Sequence, residues 1–161
     1  MRRSLAAVLA VALAGAVVLA ACGRLAVPVR LAGLHRSRVW TGERAARMAA
    51  ELHGAAVAPR DTTVAEYGRP GQLRMWVSRY PDEVHAMEAF ARMFERLRSG
   101  HTPYSVPRQL QQLPGRWFTV GPDGHNLLWT SGAAVYWLQG EPDAILRAAE
   151  ELPPPTRGQL V

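Results

Sequence analysis

Cysteine is almost absent from this sequence, since Cys22 is the only one among 161 residues. One thiol excludes an intrachain disulfide and a cage of several thiolates around a metal ion. No two histidines have the spacing of metal ligands, and no HExxH, GxSxG or phosphate-loop motif occurs. The sequence therefore assigns no catalytic residue, no metal ligand and no cofactor, and it predicts a protein that binds rather than catalyses.

Lysine is absent as well, so all 19 basic residues are arginine. Together with the abundance of alanine, this is typical of genomic base bias rather than of selection for phosphate binding. Arg24, Arg30, Arg36 and Arg38 precede the first acidic residue, Glu43. Such a cluster is attracted to anionic headgroups, and a solvated segment with biased codons is the alternative. No recognition motif for nucleic acid occurs, and nucleic acid is not expected as a partner.

Charge is missing from residues 5–21, which follow Arg2 and Arg3 and consist mostly of alanine, valine and leucine. A basic start followed by an apolar run is the order of a secretory signal, used here by either the general or the twin-arginine route. As a helix, the run reaches about 26 Å, slightly less than the ~30 Å hydrocarbon core of a bilayer. A retained membrane-spanning helix is the alternative, as is an ordinary buried cysteine at position 22.

The run ends in Leu19, Ala20, Ala21 and Cys22. These residues resemble the lipobox of bacterial lipoproteins, in which an aliphatic residue and two small residues precede an invariant cysteine. The resemblance implies cleavage between Ala21 and Cys22, a diacylglyceryl group on the Cys22 sulfur and acylation of the new amino terminus. Two or more acyl chains anchor a protein stably, whereas one holds it only marginally. The implied location is extracytoplasmic, at the outer face of the cytoplasmic membrane or at an outer membrane.

The domain organisation follows from these segments. The sequence predicts a signal peptide over residues 1–21, a lipidated basic tether over 22–39, one domain over 40–152 and a proline-rich polar tail over 153–161. The tether shows no clean hydrophobic period, and as a flexible segment it would span about 20 to 25 Å. A domain of this size buries a core of its own.

Capping signals and helical periodicity predict three helices, one between Thr41 and Gly54, one between Pro81 and Gly100, and one over residues 142–152. Alternating residues and short turns predict five strands, over residues 63–67, 72–80, 116–120, 126–130 and 133–138. The order is helix, two strands, helix, three strands, helix. It predicts an α+β fold, with a mostly antiparallel sheet of about five strands and helices packed on one face.

Four tryptophans on different predicted strands form a candidate binding face: Trp76, Trp117, Trp129 and Trp137. In the strand over residues 72–80 the apolar parity is Leu73, Met75 and Val77, which predicts that Trp76 lies on the face away from the helices. Indoles on an open face would bind a sugar, another planar ligand or a protein. Burial of the tryptophans in the core is the alternative.

Histidine and methionine leave a further alternative open. Copper held by these side chains from different elements is conceivable, because soft thioethers suit Cu(I). Otherwise the methionines are flexible fillers of the core: Met48, Met75, Met87 and Met93. The candidate roles are thus a binding or interaction domain of unknown ligand at the cell envelope, a carrier of a small ligand or metal, and an accessory subunit of a membrane complex.

Short patterns occur throughout the body of the chain, between Trp40 and Leu152. They contain Thr41, Gly42, Glu43, Ala45, Leu52, His53, Gly54, Tyr67, Gly68, Trp76 and Trp137. With these residues the body resembles small exported lipoprotein domains of bacteria that have no assigned activity. The resemblance implies an exported domain and transfers no catalytic residue.

Overall fold

The computed structural model describes residues 27–53 and 59–157, with side chains throughout except at residues 51–53. In chain order the elements are β1 (Arg30–Leu31), β2 (Leu34–Thr41), α1 (Gly42–His53), β3 (Asp61–Tyr67), β4 (Leu73–Arg79), α2 (Glu83–Arg98), β5 (Arg108–Leu110), β6 (Leu113–Gly121), β7 (Gly124–Ser131), β8 (Ala134–Gly140) and α3 (Pro142–Glu151). The signal segment and the lipobox at residues 19–22 lie outside the described residues. Among the described helices, none is long and apolar enough to cross a bilayer.

One antiparallel sheet contains these eight strands, in the order β1-β2-β3-β4-β8-β7-β6-β5. Short connections account for most of the order, because strands joined by two residues pair as a hairpin. Ala32 and Gly33, which join β1 to β2, both have positive φ, at 53° and 75°. Strands β4 and β8 pair along their whole length at the centre of the sheet.

The sheet has eight strands, and helices cover both of its faces. The prediction of about five strands with helices on one face is therefore wrong, as is the predicted order of helix, two strands, helix, three strands and helix, because two strands precede α1 and β5 precedes the last three strands. On one side, here called the α1–α2 face, the two helices and the sheet share a core that includes Ala45, Val64, Trp76, Phe90, Phe94, Leu128 and Trp137. On the other, the α3 face, the core includes Val27, Leu31, Met75, Leu127, Trp129, Leu138 and Ile145. Strand β8 is buried at every residue, and a strand covered on both sides loses the alternation that marks a one-sided sheet.

Strands β1 and β2 occupy residues that the sequence predicts as a flexible tether. Val27 and Leu31 are 8% and 1% exposed. The Arg36 guanidinium donates to the Val27 carbonyl at 2.8 Å, and the Tyr67 hydroxyl donates to the Pro28 carbonyl at 3.1 Å. The chain is therefore part of the folded domain from Val27 onward.

The segment after α3 also contacts the sheet, although the sequence predicts a polar tail there. The Trp129 indole donates to the Pro153 carbonyl at 3.0 Å. The Thr156 amide donates to the Thr130 carbonyl at 2.9 Å. Residues 153–156 thus close the edge of the α3 face.

Helix α2 begins after the N-cap Asp82, whose carboxylate accepts a hydrogen bond from the His85 amide at 2.9 Å. Its buried stripe consists of Ala86, Phe90, Met93, Phe94 and Leu97. Met87, which the sequence predicts as a filler of the core, is instead 39% exposed, and Val84 on the same helix is 64% exposed. The buried stripe holds the C-terminal half of α2 against the sheet, beside the candidate site.

Candidate functional site

The four tryptophans of the candidate binding face lie on both faces of the sheet. Trp76 and Trp137 are opposite each other on β4 and β8, and they are 5% and 1% exposed on the α1–α2 face. Trp117 lies on the same face, where its ring meets Phe94 edge-on at 4.6 Å between centroids. Trp129 lies on the α3 face and stacks on Tyr136 at 5.0 Å. They do not share one open surface.

A cavity of about 460 Å³ opens on the α1–α2 face, beside Trp76. Its walls come from the end of α2, from β4 and β8, and from the segments over residues 101–104 and 122–123. The lining residues are Met48, Arg74, Trp76, Met93, Arg96, Leu97, His101, Thr102, Pro103, Tyr104, Pro122, Asp123 and Gln139. Its volume and its mixture of apolar and polar walls are those of a small-molecule site.

The floor of the cavity is set by strand register. A row of polar residues crosses five strands at one level of the sheet: Glu66, Arg74, Gln139, Asn126 and Thr119. The next level on the same face is apolar and aromatic: Val64, Trp76, Trp137, Leu128 and Trp117. The cavity lies where the two rows meet, over Arg74, Gln139 and Trp76.

Arg74 is a cation held in the cavity wall by the carboxylate of Glu66. Its Nε donates to Glu66 Oε1 at 3.0 Å, and its Nη2 donates to the same oxygen. The guanidinium also lies 5.4 Å from the centroid of the Trp76 ring. Within the described residues, no hydrogen bond occupies Arg74 Nη1, so the fork is fixed by Glu66 on one side and retains donors on the other.

The depth at which this pair lies strengthens the interaction. The side chains of Arg74 and Glu66 are 35% and 11% exposed. Glu66 is therefore largely withdrawn from water and depends on Arg74 for its compensating charge.

Tyr104 forms the opposite wall. Its ring meets Trp137 edge-on, at 5.5 Å between centroids and 77° between planes. Burial raises the pKa of the Tyr104 hydroxyl, and the negative charge of Asp123 raises that pKa further. The hydroxyl is thus neutral at ordinary pH and can donate or accept one hydrogen bond.

The segment that carries Tyr104 is tied to β6. The Ser105 amide donates to the Val120 carbonyl at 2.7 Å, and the Thr119 hydroxyl donates to the Ser105 carbonyl at 2.6 Å. Gly121 gives the ring its place, because a Cβ at that position would lie 2.3 Å from Tyr104 Cε1. The wall is therefore built into the fold.

The formal charges at the cavity balance when Glu66, which pairs with Arg74, is counted together with the lining residues. Arg74 and Arg96 contribute guanidinium groups, and Asp123 contributes the one carboxylate among the lining residues. His101 adds an imidazole, and Gln139 adds an amide that can donate or accept. In the part of the chain that is described, no cluster of three histidine, cysteine or acidic side chains could hold a metal ion.

Sequence patterns pointed to the tryptophans but not to the polar members of this cavity. Glu66, Arg74 and Gln139 belong to three strands, and Tyr104 and Asp123 belong to two connecting segments. No motif joins them, because only the antiparallel register makes them neighbours. The alternation of Arg74 and Trp76 in one strand is the signal that places both on one face.

Comparison with protein-family models, with curated proteins and with solved structures finds no match to this chain.

Proposed function

We propose that this chain is a lipid-anchored, extracytoplasmic binding protein, and that its domain takes a small organic anion into the cavity beside Arg74. The resemblance of residues 19–22 to a lipobox supports the anchor. The cavity supports ligand binding, and the fixed Arg74 fork is the single observation that carries the choice of ligand. No catalytic step is part of the proposal.

An acidic group on the ligand follows from the chemistry of the fork. A guanidinium matches the two oxygens of a carboxylate or phosphate, and such charge-assisted bonds are about twice as strong as neutral ones. Glu66 already holds one side of Arg74, so little side-chain entropy is lost when the other side binds. Arg96 lies in the same lining and brings a second guanidinium group to it.

An apolar body on the ligand follows from the remaining walls. Trp76, Tyr104, Met93 and Leu97 all line the cavity. Burying apolar surface against them stabilises a complex by about 25 cal/mol per Å². The proposed ligand is therefore an organic acid with a compact apolar or aromatic group.

The ligand proposal is tested with three probes of similar shape, namely benzoate, phenyl phosphate and the neutral benzyl alcohol. Tryptophan fluorescence and thermal shift of the chain over residues 23–161 should respond to the two anions and not to the alcohol. Arg74→Gln should weaken anion binding by tenfold or more, since a charged hydrogen bond contributes about 1.5–3 kcal/mol. Arg92→Gln, on the exposed side of α2, is the matched control. An equal response to the alcohol would contradict the proposal.

The anchor is tested by mass spectrometry of the full chain expressed in a bacterium. The mature protein should begin at Cys22 and carry acyl groups. Cys22→Ser should yield an unacylated protein that is released or remains unprocessed. A full-length chain that still carries residues 1–21 without lipid would contradict this half of the proposal.

One observation favours a second candidate, a carrier of a soft metal ion. Met48, Met93 and His101 line the same cavity, and thioether and imidazole groups suit Cu(I). Arg74 and Arg96 oppose it, because their charges repel a cation. Competition with a chromophoric Cu(I) chelator separates the candidates, and it should show no copper binding that depends on His101.

A further inference from the structure

The edge of the sheet formed by β1 and β2 is basic. Residues 27–42 contain Arg30, Arg36 and Arg38 and no acidic residue. Strand β1 covers only the start of β2, where Arg30 pairs with His35 and Leu31 pairs with Leu34. Beyond that point, β2 is the outermost described strand on this side of the sheet.

This edge begins close to the proposed anchor. Four residues lie between Cys22 and Val27, and five steps of at most about 3.6 Å keep the two within about 18 Å of each other. Val27 is only 8% exposed and belongs to the core of the α3 face. Of the tether predicted over residues 22–39, the part from Val27 onward belongs to this folded edge.

The side chains at this edge suit a bilayer surface. Val29 and Val39 are 64% and 46% exposed, and their neighbours in the chain, Arg30 and Arg38, are exposed as well. Arg36 is partly engaged, since its guanidinium donates to the Val27 carbonyl. Exposed valines contact the interfacial region, while arginines within a Debye length of about 8–10 Å are attracted to anionic headgroups.

We propose that the β1–β2 edge, meaning the exposed surface of residues 29–41, is a docking surface for an anionic lipid bilayer. The distance argument rests on the proposed acylation of Cys22. Acylation brings the edge to the membrane, and the basic and apolar side chains then orient the domain on it. Two acyl chains alone would leave that orientation free.

Contact between the β1–β2 edge and a bilayer is tested with a fluorophore attached to a single introduced cysteine. Val29→Cys and Val84→Cys are matched, because both valines are 64% exposed, and Val84 lies on α2 away from the edge. Both changes are made in the chain over residues 23–161, which contains every described core residue and lacks Cys22. Vesicles of phosphatidylglycerol and phosphatidylcholine should shift an NBD label at position 29 to the blue and leave the label at 84 unchanged. Equal shifts, or none at 29, would overturn the proposal.

Affinity is tested with a charge-matched pair of variants. Arg30→Gln/Arg38→Gln should weaken binding to the anionic vesicles by about 25-fold, from about fivefold for each arginine near the surface. Arg92→Gln/Arg98→Gln removes the same charge from α2 and should change binding by less than about twofold. Equal weakening by both pairs would show that net charge alone acts. If duplex DNA binds as tightly as the vesicles, and its binding also depends on Arg30 and Arg38, the edge is a general surface for polyanions instead. Either result overturns the proposal.

These assays use no acylated protein, so they remain informative if Cys22 is not modified. Loss of acylation with retained vesicle binding would refute the anchor alone. Acylation without the shift at position 29 would refute the docking surface alone.

Discussion

Replacing Gly121 with alanine tests whether Tyr104 is held in place as a wall of the cavity. Gly121 is not among the residues with positive φ, so alanine adds no backbone strain there. The new Cβ would lie 2.3 Å from Cε1 and 2.5 Å from Cδ1 of Tyr104. Carbon atoms in contact are about 3.5–4.0 Å apart. The tyrosine ring must therefore move by more than about 1 Å.

The expected cost combines two terms. Overpacking of this kind typically destabilises a protein by about 1–3 kcal/mol. Movement of the ring also weakens its edge-on contact with Trp137 at 5.5 Å, a type of pair that contributes about 0.5–1.5 kcal/mol. Rotation of Tyr104 relieves part of the clash, so the two costs do not add in full. We therefore expect Gly121→Ala to lower the free energy of unfolding by about 1–3 kcal/mol in urea denaturation. Benzoate binding should weaken in parallel.

A double-mutant cycle gives the control. In a Tyr104→Ala background the ring is gone, and Gly121→Ala should then cost less than about 0.5 kcal/mol. If Gly121→Ala costs the same in both backgrounds, the contact between residues 121 and 104 does not determine the effect. The account of this wall would then be refuted.

Two further outcomes are expected from urea and pH titrations. Gly140→Ala places a Cβ 2.3 Å from the Gln72 carbonyl oxygen, which accepts a hydrogen bond from the Glu141 amide at 3.0 Å. In urea denaturation it should therefore lower the free energy of unfolding by at least about 1 kcal/mol more than Gly132→Ala, whose Cβ meets nothing within 4 Å. Equal losses for the two variants would contradict this. Hydrogen bonds from the His85 amide and ring lower the Asp82 pKa from 3.8, and the Asp82 side chain raises the His85 pKa from 6.5. The contribution of Asp82 to folding stability is present above its unfolded pKa and is lost as the pH falls through the lowered pKa of the folded state. The contribution of His85 is present below its unfolded pKa and is lost as the pH rises through the raised pKa of the folded state. The stability difference between the parent and Asp82→Asn should therefore be largest between about pH 3.8 and 6.5, and a difference independent of pH would contradict the pairing.

Local signals determined what the sequence could predict. Helix α2 lies between Pro81 and Gly100, the two residues that bound it in the prediction, although Asp82 is its N-cap and Pro81 precedes it. The five predicted strands lie at β3, β4, β6, β7 and β8. Alternating residues within these strands and short turns between them are the signals that mark them. Each of these features depends on neighbours in sequence, which is why pattern reasoning finds them.

The edge strands lack such signals. Strand β2 has the sequence LHRSRVWT and is mostly exposed, because an outer strand is free to carry charged residues. Strand β5 has only three residues. The sequence also gives no measure of how many faces of a sheet are covered. The apolar parity of Met75 and Val77 therefore predicts Trp76 on the face away from the helices, whereas α1 and α2 cover that face as well.

The candidate site shows why coverage of both faces matters for function. Met75 and Trp76 are consecutive in β4 and point to opposite faces of the sheet. With helices on one face only, one of the two would lie in the core and the other would be exposed to solvent. Because both faces are covered, Trp76 is buried as well, and Arg74, one pleat away on the same side, lies at the margin of the α1–α2 core. There Glu66 from the neighbouring strand fixes the guanidinium. The guanidinium is thus held beside the cavity, and that restraint is the reason for proposing Arg74 as the anion-binding group.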